Sequence, residues 1–147
     1  MRHIDLIVIH CSATQHGVDV DVRMIDKWHR NRGFAGVGYH YVIRLDGTIE
    51  RGRDINRAGA HAKGYNSNSI GICYVGGLDS KDKPKDTRTK QQKQALRNIV
   101  TTLKSIYGDL DVVGHRDLSA DLNGDGVITP GEWMKSCPCY NVKDEIY

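Results

Sequence analysis

Among seven histidines and four cysteines, whose donor atoms zinc prefers, His10, His115 and Cys137 stand out by their positions. His10 closes a predicted strand, Ile4 to His10, at the kind of sheet edge where sites open. A second predicted strand, Leu110 to Val113, leads through Gly114 into His115, and Cys137 stands in Lys135-Ser136-Cys137-Pro138. Two imidazoles and a thiolate are a known three-ligand set for a catalytic zinc, with the fourth position left to water. Spacing alone leaves two other readings open. A strand histidine is often a satisfied core residue, and Cys137 paired with His115 is also the outline of a cysteine hydrolase. That second reading needs an activated, exposed thiol, and Pro138 directly after a nucleophile is awkward for a helix start.

The elements that must position these groups are legible from periodicity. Ile4 to His10 reads as a strand with apolar residues on both faces, as in a sheet covered on two sides. Asp21 to about Arg32 reads as a helix, with Val22, Ile25 and Trp28 inward, Asp19 or Asp21 as cap and Gly33 as stop. Gly38 to Glu50 reads as a hairpin turning at Asp46-Gly47. Tyr39 and Tyr41 then share one face and His40 points to the other, which makes His40 structural. Ser69 to Val75 is a further strand, and Asp79 to Arg88 an exposed loop. Lys90 to Tyr107 is a helix with Thr89 and Gln92 spaced as a capping box, an apolar stripe from Ala95 to Ile106, and Gly108 as its stop. Alternation of strands and helices predicts a single α/β domain over 1–147, a central mixed β-sheet flanked by helices.

The 147 residues suffice for one sizeable core. A net charge of +3 with a pI near 8.7 suits a polyanionic neighbour such as a cell-wall polymer and is too small and scattered to argue for nucleic acid. No apolar run approaches the roughly 18–20 residues of a membrane helix, and no secretory signal is read at the N-terminus. A disulfide between Cys137 and Cys139 would be strained, so a reduced, cytoplasmic chain is expected; it is also expected to be a monomer. Cys11 and Cys73 read as small buried hydrophobes. Cys139 has no assigned role; it is a competitor of Cys137 for a metal, but Pro138 between them fixes the backbone against both binding at once.

Eight blocks then share one likeness. Val8-Ile9-His10-Cys11-Ser12-Ala13-Thr14, Gly38-Tyr39-His40-Tyr41, Arg44-Leu45-Asp46-Gly47-Thr48, Gly59 to Asn66, Asn68 to Cys73, Gly76-Gly77, Gly114-His115 and Lys135-Ser136-Cys137-Pro138 follow in order along nearly the whole chain. This series resembles the T7 lysozyme-type N-acetylmuramoyl-L-alanine amidases. The resemblance implies zinc held by His10, His115 and Cys137, with Tyr39 and Lys135 as the two non-ligand catalytic residues. It implies hydrolysis of the amide between N-acetylmuramic acid and L-alanine in bacterial peptidoglycan, by a phage or prophage lysin kept in the cytoplasm until release. In an extended segment Lys135 faces the same way as Cys137, which suits that role. His61, in a Gly-rich polar block, is expected to line the groove and contact substrate; the alternative is a loop histidine bonded to backbone. A non-catalytic peptidoglycan-binding module of the same fold is a second alternative, but such proteins typically lack the cysteine that this chain keeps.

The chain departs from the family pattern between His115 and Cys137, where about residues 116–136 form an insertion. Asp121-Leu122-Asn123-Gly124-Asp125-Gly126-Val127-Ile128-Thr129-Pro130-Gly131-Glu132 has the pattern of an EF-hand calcium loop. Asp121, Asn123, Asp125 and Glu132 supply side-chain oxygens and Val127 a carbonyl, with Gly126 at the sharp turn and Ile128 as apolar anchor. The preceding helix and a second, paired loop are missing. The alternative is an Asx-turn loop folded on its own backbone without an ion.

Overall fold

The computed structural model describes residues 2–120, 122, 128 and 135–147. The expected calcium ligands Asp121, Asn123, Asp125, Val127 and Glu132 lie outside the described residues. In chain order the described residues form β1 (Leu6–Cys11), β2 (Thr14–Gln15), α1 (Val22–Asn31), β3 (Tyr41–Ile43), β4 (Ile49–Arg51), β5 (Ser69–Tyr74), β6 (Gly77–Leu78), α2 (Lys90–Tyr107) and β7 (Asp111–Gly114). The main sheet runs β4-β3-β5-β1-β7. Its pairs are parallel except the β3–β4 hairpin, so the expected mixed sheet is the one observed.

The alternation within β1 decides which way each side chain points. Ile7, Ile9 and Cys11 join Ile70, Ile72 and Tyr74 of β5 beneath Ala95, Leu96, Ile99, Val100 and Leu103 of α2. On the opposite face Val42 and Val75 pack with Val20, Val37 and Ile25 of α1. His10, between Ile9 and Cys11, therefore emerges on the α1 face. Gln92 anchors α2 to the sheet from a fully buried position. Its Nε2 donates to the carbonyls of Ile43 and Val75, while its Oε1 accepts from Thr89 N–H and completes the capping box.

Several expectations need correction. The first strand begins at Leu6, and Tyr39 precedes β3. Val22 and Ile25 of α1 pack inward as expected, whereas Trp28 is 38% exposed and His29, one turn after Ile25, is buried instead. Ile106, assigned to the apolar stripe of α2, is 65% exposed, and in the last turn it is Tyr107 that packs against the core. Arg88, placed in an exposed loop, buries its guanidinium: it bonds Asp86 and Glu145 and lies 3.3 Å from the centre of the Tyr140 ring. These bonds fasten the C-terminal segment to the body of the domain.

Candidate active site

His10 is almost fully buried near the end of β1, and His115 follows the last residue of β7, the parallel neighbour of β1. Cys137 arrives from the far side of the insertion, and three contacts return it to the same place. Arg116 N–H donates to the Cys137 carbonyl at 2.9 Å, and Tyr74 Oη donates to the Pro138 carbonyl at 2.6 Å. Gly114 makes room for the third: a Cβ there would stand 2.8 Å from Pro138 Cδ. The Cys137 sulfur accepts the Cys11 N–H at 3.2 Å. One donor atom from each of His10, His115 and Cys137 then lies within 4.8 Å of the others.

This donor set fits zinc. Tetrahedral donors at ordinary Zn–N and Zn–S lengths stand about 3.3–3.6 Å apart, so an approach of about an ångström closes the set around one ion. Burial pushes the His10 imidazole well below its ordinary pKa, helped by His61, His115 and Lys135. Burial, then Lys135, also lowers the pKa of His115. Both rings are thus neutral at neutral pH, the form that donates a lone pair to a metal. Cys139 does not join the set. Its sulfur lies 3.8 Å from that of Cys11.

These residues form the floor of a groove of about 670 Å³, whose lining also includes Tyr39, Lys135 and His61. The Tyr39 ring centre is 5.0 Å from that of His10 and 5.4 Å from that of His29. Burial pushes the Tyr39 phenol well above its ordinary pKa, with Cys73 and Cys137 adding to the shift, so it remains a proton donor. Lys135 is exposed at the rim. His29 is a site residue that sequence reasoning missed: its Nδ1 accepts the Gly38 N–H at 2.9 Å and its ring braces Tyr39. Helical spacing gave no signal for it, since Trp28 and His29, three and four residues after Ile25, both lie near the Ile25 face.

His40 points away from the groove, as expected. Its Nδ1 accepts the Gly71 N–H at 3.0 Å, which leaves Nε2 to donate to the Arg57 carbonyl at 2.8 Å. Burial pushes its pKa down to about 4. The folded chain therefore binds fewer protons than the unfolded chain, whose histidine titrates near 6.5. The resulting stability is complete above pH 6.5 and is lost as pH falls, by about 3 kcal/mol at pH 4. Urea unfolding of the metal-free protein at several pH values should show this loss, and His40→Gln should lose less over the same interval. Equal slopes in the two proteins would exclude His40 as a source.

The model of the N-acetylmuramoyl-L-alanine amidase family matches residues 1–139. The chain belongs to this family. The amidase is 42% identical over 137 residues to the endolysin of Klebsiella phage KP32, covering 93% of this chain and 82% of that one. It is 41% identical over 139 residues to the endolysin of Escherichia phage T7, covering 95% and 83%. Among solved structures it resembles the amidase LysC from Clostridium intestinale, with a TM-score of 0.73 at 30% identity, covering 95% of this chain and 79% of that one. Among the described residues of the amidase, no helix is long and apolar enough to cross a membrane.

Proposed function

We propose that this amidase cleaves the bond between N-acetylmuramic acid and the L-alanine of the stem peptide in bacterial peptidoglycan, with zinc held by His10, His115 and Cys137. The observation that carries this reading is the convergence of these three donors, from distant parts of the chain, on the floor of one groove. When bound, the metal lowers the pKa of a coordinated water to about 7 and polarises the carbonyl under attack. Lys135 brings a positive charge to the oxygen on which negative charge develops. Tyr39, kept protonated by burial, donates a hydrogen bond at the reacting centre, and its ring is fixed between His10 and His29. Arg32, Lys63 and Arg116 line the groove beside Trp28, Phe34 and Tyr65, a surface suited to a peptide with carboxylates and a sugar with apolar faces.

Mass spectrometry of digested, purified peptidoglycan tests the reaction. Free stem peptides beside intact glycan strands are expected, and cut glycan would mean a glycosidase. The biological setting that fits is a lysin, monomeric and held in the cytoplasm until it is released to the wall. We also propose calcium at Asp121 to Glu132, on the loop pattern alone. Calcium should then raise the melting temperature and tighten zinc binding, because the loop leads into the segment of Lys135 and Cys137. No change in either quantity would remove calcium from the account.

A further inference from the structure

We propose that His61 is a positioning residue for the metal, not a substrate contact: it fixes the ring and tautomer of His10 so that the Nδ1 lone pair of His10 faces the ion. The inference rests on the zinc reading above. His10 Nε2 lies 2.9 Å from His61 Nδ1, and His61 Nε2 lies 3.1 Å from Ser69 Oγ. The hydrogen bond to His61 uses Nε2 of His10, so Nδ1 is the nitrogen left for a ligand. Both ring nitrogens of His61 are likewise spent inside the protein, and the residue is 9% exposed.

Two directions of donation satisfy these distances. In one, Ser69 Oγ–H donates to His61 Nε2 and His61 Nδ1–H donates to His10 Nε2. His10 then carries its proton on Nδ1 and has no lone pair for a metal. In the other, His10 Nε2–H donates to His61 Nδ1 and His61 Nε2–H donates to Ser69 Oγ, which frees His10 Nδ1. Only the second direction makes a metal site, and an acceptor at the His61 Nδ1 position selects it. Metal-bound histidines generally donate their other ring N–H to such an acceptor, and its loss commonly weakens the metal 10–100-fold.

The fold builds a slot for this ring. A Cβ at Gly71 would stand 2.6 Å from His61 Cγ and Cδ2, and one at Gly59 would stand 2.5 Å from Cδ2. The Asn66 side chain accepts both His61 N–H and Ala62 N–H at 2.9 Å, which fixes the loop carrying the ring.

The experiment is chelator competition for zinc on the full chain. His61→Leu, which removes the acceptor, should bind zinc about 10–100-fold more weakly than the wild type. His61→Asn, whose Oδ1 can stand near the lost Nδ1, should recover at least half of that loss on a logarithmic scale. Gly71→Ala should weaken zinc without altering a polar side chain, because its methyl group displaces the ring. Two-bond ¹⁵N–¹H correlation spectra of the zinc-loaded wild type should place the His10 proton on Nε2, and this measurement stands even where His61→Leu fails to fold. A His10 proton on Nδ1, or a folded His61→Leu that binds zinc as tightly as the wild type, overturns the inference alone. A wild-type chain that takes up no zinc overturns the metal reading and this inference with it.

Discussion

Cys137→Ser is expected to leave a folded protein that hydrolyses peptidoglycan at least about 10³-fold more slowly and no longer retains zinc through dialysis. A serine hydroxyl is a poor replacement for a thiolate, and two imidazoles alone hold the ion weakly. The fold should survive because the contacts that return this segment to the sheet are made by backbone and neighbours. The Cys137 carbonyl holds Arg116 N–H, and Tyr74 holds the Pro138 carbonyl. A chelator should reproduce the loss in the wild type, with zinc restoring activity there and not in Cys137→Ser at stoichiometric metal. The competing cysteine-hydrolase reading predicts the reverse pattern: indifference to chelators and inactivation by alkylation.

Lys135→Ala and Tyr39→Phe should each lower kcat by about 10²–10³ while zinc content stays at that of the wild type. Lys135 is exposed, so its removal leaves the core untouched and withdraws the charge that the proposed mechanism brings to the reacting oxygen. Tyr39→Phe keeps the ring between His10 and His29 and removes only the hydroxyl. A loss confined to the transition state appears in kcat and kcat/KM together, with KM little changed. Near-normal turnover in both variants with zinc bound would assign neither residue a catalytic role.

What the sequence disclosed depended on how local the signal was. α2 was readable because its capping box and apolar stripe lie within one stretch, and the observed bonds of Thr89 and Gln92 match that reading. The inward face of α1 was not, since Trp28 and His29 differ by one step on the helix and only the packing of Tyr39 and Gly38 against His29 settles the choice. The two-residue ladder between β2 and β6 leaves no periodicity to read. His10, His115 and Cys137 were marked by residue type and by family likeness, but their meeting is a property of the parallel β1–β7 pair and of the contacts that close the insertion. The place of His61 was hidden for the same reason. Its block reads as a loop at the groove, and only the slot left by Gly59 and Gly71 shows that the ring turns inward to His10 and Ser69.

X-ray absorption at the zinc edge of the purified protein tests most directly whether one ion joins these three side chains. One sulfur at about 2.3 Å and nitrogen or oxygen neighbours at about 2.0–2.1 Å are expected, with the sulfur signal lost in Cys137→Ser. A zinc shell without sulfur, or one whose sulfur persists after that substitution, would contradict the account.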